Sequence, residues 1–426
     1  MPYAALSPFD AASVLIVLAA VLGYINHISL KLPASVGMTF MGALASLAVL
    51  GIDKLLPESH LTPLVLGFLD DIDFHQTLMN GMISFLLFAG ALHVNWTYIK
   101  AGFLPILLLS TIGVILSTAI VGGGFYILTQ IIGLPVPLMW CLVFGALISP
   151  TDPVAVMAVM KHACVPPTLQ ATVAGESLFN DGVGVVVFGI LLGAAMGGGE
   201  FSLSHAGMEF LKETGGGVVL GLLTGAIAYY AMRSIDDYNV EVIISLAVVM
   251  GGYTLANIFG VSGPVAMAIA GLIIGNAAVA HAMSDTTRDY VLKFWSLIDE
   301  ILNAVLFLLI GLEVIAVSRD WRLVVIGLAS IPLVLAARTI SVTIPLTVLR
   351  PFQFLGKMAM PTLVWGGLRG GISVALALSL PGHRTVILAA TYIVVLFAVI
   401  FQGGTIGKLI LKWTKKEEPP NIMTLH

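Results

Sequence analysis

Charge is what this sequence has least of. Only 10% of its 426 residues are Asp, Glu, Lys or Arg, where a soluble domain carries about 25%. With 58% hydrophobic residues and a mean hydropathy of +1.04, the shortage excludes a large soluble core and leaves a polytopic membrane protein. A basic excess is missing too. The net charge of −4 and pI near 6.1 exclude a nucleic-acid partner. Cysteine is scarce: Cys141 and Cys164 lack a metal-type spacing. They bracket one apolar run and are expected near opposite membrane faces, which excludes a disulfide. Residues 1–10 lack the basic segment of a cleaved signal peptide, so the first apolar run counts as a span. Gly197-Gly198-Gly199 lacks the Lys-Ser/Thr and the strand of a phosphate cradle, so it reads as a loop.

What is present is a series of long apolar runs. About thirteen are expected to cross the bilayer, roughly at 11–30, 34–51, 77–95, 103–131, 138–160, 168–196, 215–232, 240–259, 263–280, 295–317, 321–348, 358–380 and 384–411. Each is close to the ~20 apolar residues that span a membrane. Residues 1–426 therefore read as a single transmembrane unit of the all-α polytopic class, with no soluble regulatory domain and a short charged tail. The longest loop, 52–76, holds an interfacial stretch at 61–69. Lys and Arg set the orientation. With the N-terminus outside and the C-terminus cytoplasmic, twelve of them fall inside and five, Lys54, Lys212, Arg319, Arg322 and Arg384, fall outside. Arg338 and Arg369 lie within spans.

Two spans are expected to be broken. The fifth has Pro150 and Pro153 around Asp152, and proline removes a donor and crowds the preceding turn. The twelfth has Gly366, Gly367, Gly370 and Gly371 around Arg369, which weakens a helix similarly. Interrupted spans in corresponding places of two halves mark the ion site of inverted-repeat transporters, where two broken helices cross. Pro and Gly are common in membrane helices in any case. Here each break coincides with a buried charge.

Six ionisable residues stand out in apolar surroundings: Asp152, Glu176, Asp181, Glu313, Arg338 and Arg369. A charge at mid-bilayer costs at least ~2.5–3.5 kcal/mol, so such residues usually line an ion or proton path. Residues four apart share a helix face, so Ser177 pairs with Asp181 and Glu176 with Asn180. The two acids are thus expected to do different jobs. Asp181 with Ser177, and Thr151 with Asp152 and the carbonyls freed by the break, offer oxygens suited to a hard cation. Glu176 calls for an arginine, Arg338 first and Arg369 second, as a brace between helices. Asp299 and Glu300, near Asn303, are expected as solvated acids at the start of the tenth span. Glu313 is expected near that span's outer end. His27, His93, His162, His205, His281 and His383 fall near span ends, and most are expected wet. Trp295, Trp321 and Trp413 are expected as interfacial anchors.

Thr151-Asp152-Pro153, then Glu176-Ser177-Leu178-Phe179-Asn180-Asp181, then Gly367-Leu368-Arg369-Gly370 resemble the monovalent cation:proton antiporter-1 family, the NhaP/NHE-type sodium/proton exchangers. The Asn180-Asp181 pair separates that family from relatives with Asp-Asp. The resemblance implies a homodimer of thirteen-span protomers, each with a dimerisation domain and a mobile core domain that moves as an elevator. It implies that Asp152 and Asp181 bind cation and proton, assisted by Thr151 and Ser177, with Asn180 preceding the essential acid. Glu176 would pair with an arginine, and Arg338 and Arg369 match the family's eleventh- and twelfth-span arginines. Many eukaryotic members carry a long regulatory tail; its lack here suggests a prokaryotic plasma membrane.

The expectation is an electroneutral sodium or lithium/proton antiporter in which cation and proton compete for one shared carboxylate site. Its partners would be monovalent cations, protons, membrane lipid and a second copy, with no catalytic residue and no cofactor. Three acids, Asp152, Glu176 and Asp181, against Arg338 and Arg369 leave the empty site at −1. One sodium ion or one proton neutralises it, and only the neutral site crosses cheaply. Two alternatives are a passive cation channel and an intramembrane aspartyl protease. The protease would want Gly-x-Gly-Asp, whereas Asn180 precedes Asp181, and it would leave the arginines unexplained.

Overall fold

Inside a bilayer no water satisfies backbone N–H and C=O groups, so the chain must satisfy them within helices. The computed structural model describes residues 8–56, 62, 65, 67, 82–163, 165–197, 202–312, 320–349, 356 and 358–417. Among them nine helices are long and apolar enough to cross a membrane. Every expected span coincides with a helix or a pair of half-helices; of the third, Ile83–Leu92 is described. The fifth is split into Leu138–Ile148 and Val154–His162. The twelfth is split into Ala359–Trp365 and Gly371–Leu378. Glu313, Cys164 and most of 61–69 lie outside the described residues. Cys141 is a buried free thiol.

Two helices begin well before the apolar runs do. Leu203–Arg233 starts at a Ser202 cap rather than near 215. Asp285–Leu312 starts with a polar turn rather than near 295. Ser284 caps it, its hydroxyl accepting from the Thr287 N–H at 3.4 Å. Hydropathy marks where a helix is greasy, not where its hydrogen bonds begin. The early start of Asp285–Leu312 changes the place of two residues. Asp299 is not a helix-start acid but lies about four turns in. Trp295 is no interfacial anchor: it is fully buried. Its ring packs 4.6 Å from Phe88, and its Nε1–H donates to Ser245 Oγ at 2.8 Å. Trp321 is exposed and Trp413 half-buried, while His27, His93, His205, His281 and His383 are exposed. The His162 side chain is not among the described ones.

Small residues let the spans approach closely, the usual device where lipid gives helices no hydrophobic reason to associate. A Cβ on Gly42 would meet the Leu308 carbonyl oxygen at 2.8 Å and Gly311 Cα at 3.0 Å. The helices Ala34–Leu55 and Asp285–Leu312 thus cross glycine on glycine. Hydroxyls reinforce the seam: Thr39 donates to the Phe307 carbonyl at 3.2 Å and Ser46 to that of Leu312 at 2.5 Å. Elsewhere Phe125 and Phe144, 4.1 Å apart, fill the core beside the first half-helix of the fifth span.

Candidate cation site

Breaking a helix strands carbonyls at one end and N–H groups at the other. Both breaks are repaired by charged side chains and by each other. The Asp152 N–H donates to the Leu368 carbonyl at 2.8 Å, an isolated antiparallel bridge joining the two gaps. The Asp152 carboxylate accepts from the Val154 N–H at 2.8 Å and so caps the positive end of Val154–His162. Arg369, only 2% exposed, treats the opposite end. Its Nη1 donates to the carbonyls of Ser149 at 2.5 Å and Pro150 at 3.2 Å, the negative end of Leu138–Ile148. Arg369 therefore serves the break and is not the partner of Glu176.

That partner is Arg338. Its Nη1 and Nη2 meet Glu176 Oε1 and Oε2 at 2.6 and 2.9 Å, a bidentate pair sealed from solvent. Arg338 Nε and Nη2 also donate to the Leu363 carbonyl at 3.1 and 2.8 Å, capping the half-helix Ala359–Trp365. From Glu176 a polar chain runs into the break. Asn180 Nδ2 donates to Glu176 Oε1 at 3.3 Å and to Thr151 Oγ1 at 2.7 Å. Asn180 Oδ1 accepts from the Thr151 N–H at 3.3 Å. Thr151 Oγ1 and Ser177 Oγ lie 3.1 Å apart. An amide is the group position 180 needs, because it both gives and takes. An aspartate would face Glu176 with no proton to donate.

A cavity of about 510 Å³ reaches this crossing. Thr151, Asp152, Asp181, Asp299, Asn303 and Ser373 are on its wall, whereas Glu176, Ser177, Asn180, Arg338 and Arg369 are not. Asp181 is 8% exposed, and no donor among the described residues satisfies its carboxylate. Asp181 and Asp152 thus face the same space with lone pairs to spare, while the third acid, Glu176, is saturated. Asp299 is on the same wall, carried there by the helix Asp285–Leu312. The signal in the sequence was Asn303 four residues on, one turn along the same face. Asn303 Nδ2 donates to Asp299 Oδ1 at 3.1 Å.

The Asp152 carboxylate is held in place sterically as well. A Cβ on Gly370 would sit 2.7 Å from Asp152 Cβ and 2.9 Å from its Oδ2. Gly370→Ala should therefore push this side chain off its cap and cut cation-dependent transport at least tenfold. Gly90, also on the cavity wall, would hold an added methyl with nothing within 4 Å of it. Gly90→Ala should keep more than half the activity. Equal activity of the two variants in reconstituted vesicles would show that Gly370 imposes no constraint on Asp152.

Comparison with known proteins follows the same lines. The transmembrane sodium/hydrogen exchanger family matches residues 16–412. The chain is 44% identical over 410 residues to the Na(+)/H(+) antiporter NhaP of Pseudomonas aeruginosa, covering 94% of this chain and 96% of that one. It is 34% identical over 393 residues to the Na(+)/H(+) antiporter NhaH of Halobacillus dabanensis, covering 86% and 95%. The solved structure of the sodium proton antiporter MjNhaP1 from Methanocaldococcus jannaschii superposes with a TM-score of 0.74 at 22% identity. It covers 95% of this chain and 98% of the other, a likeness of fold.

Proposed function

The chain belongs to the sodium/hydrogen exchanger family, and on that premise we propose that it is a secondary antiporter exchanging sodium or lithium for protons at Asp152 and Asp181. It is a transporter, not an enzyme. The observation that carries this reading is the division of labour among three acids at one helix crossing. Glu176 is neutralised by Arg338. Asp152 and Asp181 face a common cavity without an arginine. A carboxylate pair in a low-dielectric wall binds a proton or a hard monovalent cation, and the two compete for the same lone pairs. Thr151 is on the cavity wall beside Asp152. Ser177 and Asn180 hold Thr151 from behind.

Competition at a site of net charge −1 makes the exchange electroneutral, one cation for one proton, because the loaded site is neutral and the empty one is not. Asp299 stands outside this count because it lies on the separate helix Asp285–Leu312 and bonds to Asn303 rather than to either broken span. The protein works by alternating access as a homodimer in a prokaryotic plasma membrane, its N-terminus outside and its C-terminus cytoplasmic. The excess of Lys and Arg on one set of loops supports that orientation. The cavity reaches exposed Asn95, Tyr98 and Pro167 at the Lys100 end of the bundle, the cytoplasmic side in this reading.

Proteoliposomes loaded with a pH-sensitive dye test the reading. Sodium and lithium, added separately, should dissipate an imposed proton gradient, and potassium serves as the third arm. No response to any of the three would end the antiporter reading. Sodium flux without proton flux would make the protein a channel. With voltage clamped by valinomycin and graded potassium, the equilibrium sodium gradient should not move. A gradient that follows the voltage would refute electroneutral exchange.

A further inference from the structure

Three carboxylates line the cavity among the described residues, and the exchange uses only Asp152 and Asp181. Asp299 is left over. It sits about four turns into Asp285–Leu312, half-buried where its neighbour Glu300 is exposed. None of the ion pairs among the described residues involves it. It stands within the electrostatic field of Asp152. A carboxylate within a membrane helix without a counter-charge is costly and is normally kept for ions. Asn303 fixes its direction by donating to Oδ1. An amide orients a carboxylate without neutralising it, so its negative charge still acts on the cavity. A charge in a cleft with low-dielectric walls focuses its field and concentrates counter-ions there.

We infer that Asp299, oriented by Asn303, is an entry-side carboxylate that gathers monovalent cations from the cavity and raises the occupancy of the Asp152–Asp181 site. The inference rests on the reading of that pair as the exchange site. Asp299 has a sidedness that the exchange site lacks, because it lines the cavity of the conformation open at the Lys100 end. It sets the affinity seen from that side and leaves the crossing step alone. A merely structural acid would have no such sidedness.

The test is sodium-driven proton flux in oriented vesicles, with sodium varied at one face at a time. Asp299→Asn should raise the apparent KM for sodium about threefold to tenfold at the cavity face. It should change the KM at the other face and the maximal rate by less than about twofold. Asp299→Glu should keep the cavity-face KM close to that of the unmodified protein. Should Asp299→Asn fail to fold, the unmodified protein still decides. An impermeant salt should raise the sodium KM more at the cavity face than at the other, because it screens the attraction. An unchanged KM at both faces, or an equal change at both, overturns the inference. So does a loss confined to the maximal rate, or a salt effect equal at the two faces. Absence of any sodium-driven proton flux in the unmodified protein would instead overturn the exchange reading beneath it.

Discussion

Asp181→Asn and Asp152→Asn should each reduce sodium-dependent proton flux to background while leaving a folded protein. The two substitutions preserve shape and remove one negative charge. The empty site then has no net charge instead of −1, so it crosses unloaded and coupling is lost. Folding should survive because neither carboxylate is a structural partner that an amide cannot imitate. The amide oxygen that Asp152→Asn supplies can still accept from the Val154 N–H, as the carboxylate does at 2.8 Å. Asp181 is paired with no donor among the described residues, so removing its charge relieves a buried cost rather than creating one. Its variant should melt at the same temperature as the unmodified protein or higher. Flux in proteoliposomes and thermal melting in detergent, measured on the same preparation, separate the two effects. Retained flux above about a tenth of the unmodified rate in either variant would remove that residue from the site; that threshold corresponds to roughly 1.4 kcal/mol on the barrier.

The second large effect falls on stability. Arg338→Ala should destabilise the fold by ~3–5 kcal/mol, because removing one partner leaves a buried charge uncompensated. Glu176 would lose both guanidinium hydrogen bonds. The Leu363 carbonyl would lose both of its Arg338 donors as well. Adding Glu176→Gln removes the stranded charge but cannot restore the cap on Leu363. The double variant should therefore recover part of the loss and stay below the unmodified protein. A double-mutant cycle on thermal unfolding gives the coupling directly. Strict additivity of the two single effects would show that the pair contributes nothing beyond its members. Arg369→Ala makes a useful contrast, since it strands backbone carbonyls rather than a carboxylate. Its defect should not respond to Glu176→Gln.

Much of this architecture is local in origin and is legible in the chain. Hydropathy over windows of a bilayer's width locates the spans seen among the described residues, because each span must satisfy its own backbone. Pro150 and Pro153, and the glycines about Arg369, locate the breaks, because a missing N–H or a missing side chain acts within one turn. The spacing of Glu176, Ser177, Asn180 and Asp181 assigns the two acids to different faces, since 3.6 residues per turn is enough to compute it. Helix beginnings are not legible where a polar turn precedes the apolar run, as at Leu203 and Asp285.

Only the tertiary structure decided who meets whom. Arg338 ranks ahead of Arg369 as the partner of Glu176 in the sequence, but both remain candidates there. One lies 162 positions from Glu176 and takes it, and the other caps carbonyls around Ser149. No periodicity reports a contact across such a separation, because it depends on how whole helices cross. The same holds for Ser177, which shares a helix face with Asp181 but touches Thr151 behind the cavity wall. It holds for Trp295, whose burial against Phe88 no local pattern signals. It holds most for Asp299, whose place beside Asp152 and Asp181 follows from packing between helices far apart in the chain. Backbone satisfaction and helical period act within a few residues and are therefore readable. The cavity is a property of the space between helices, and it exists only once they are assembled.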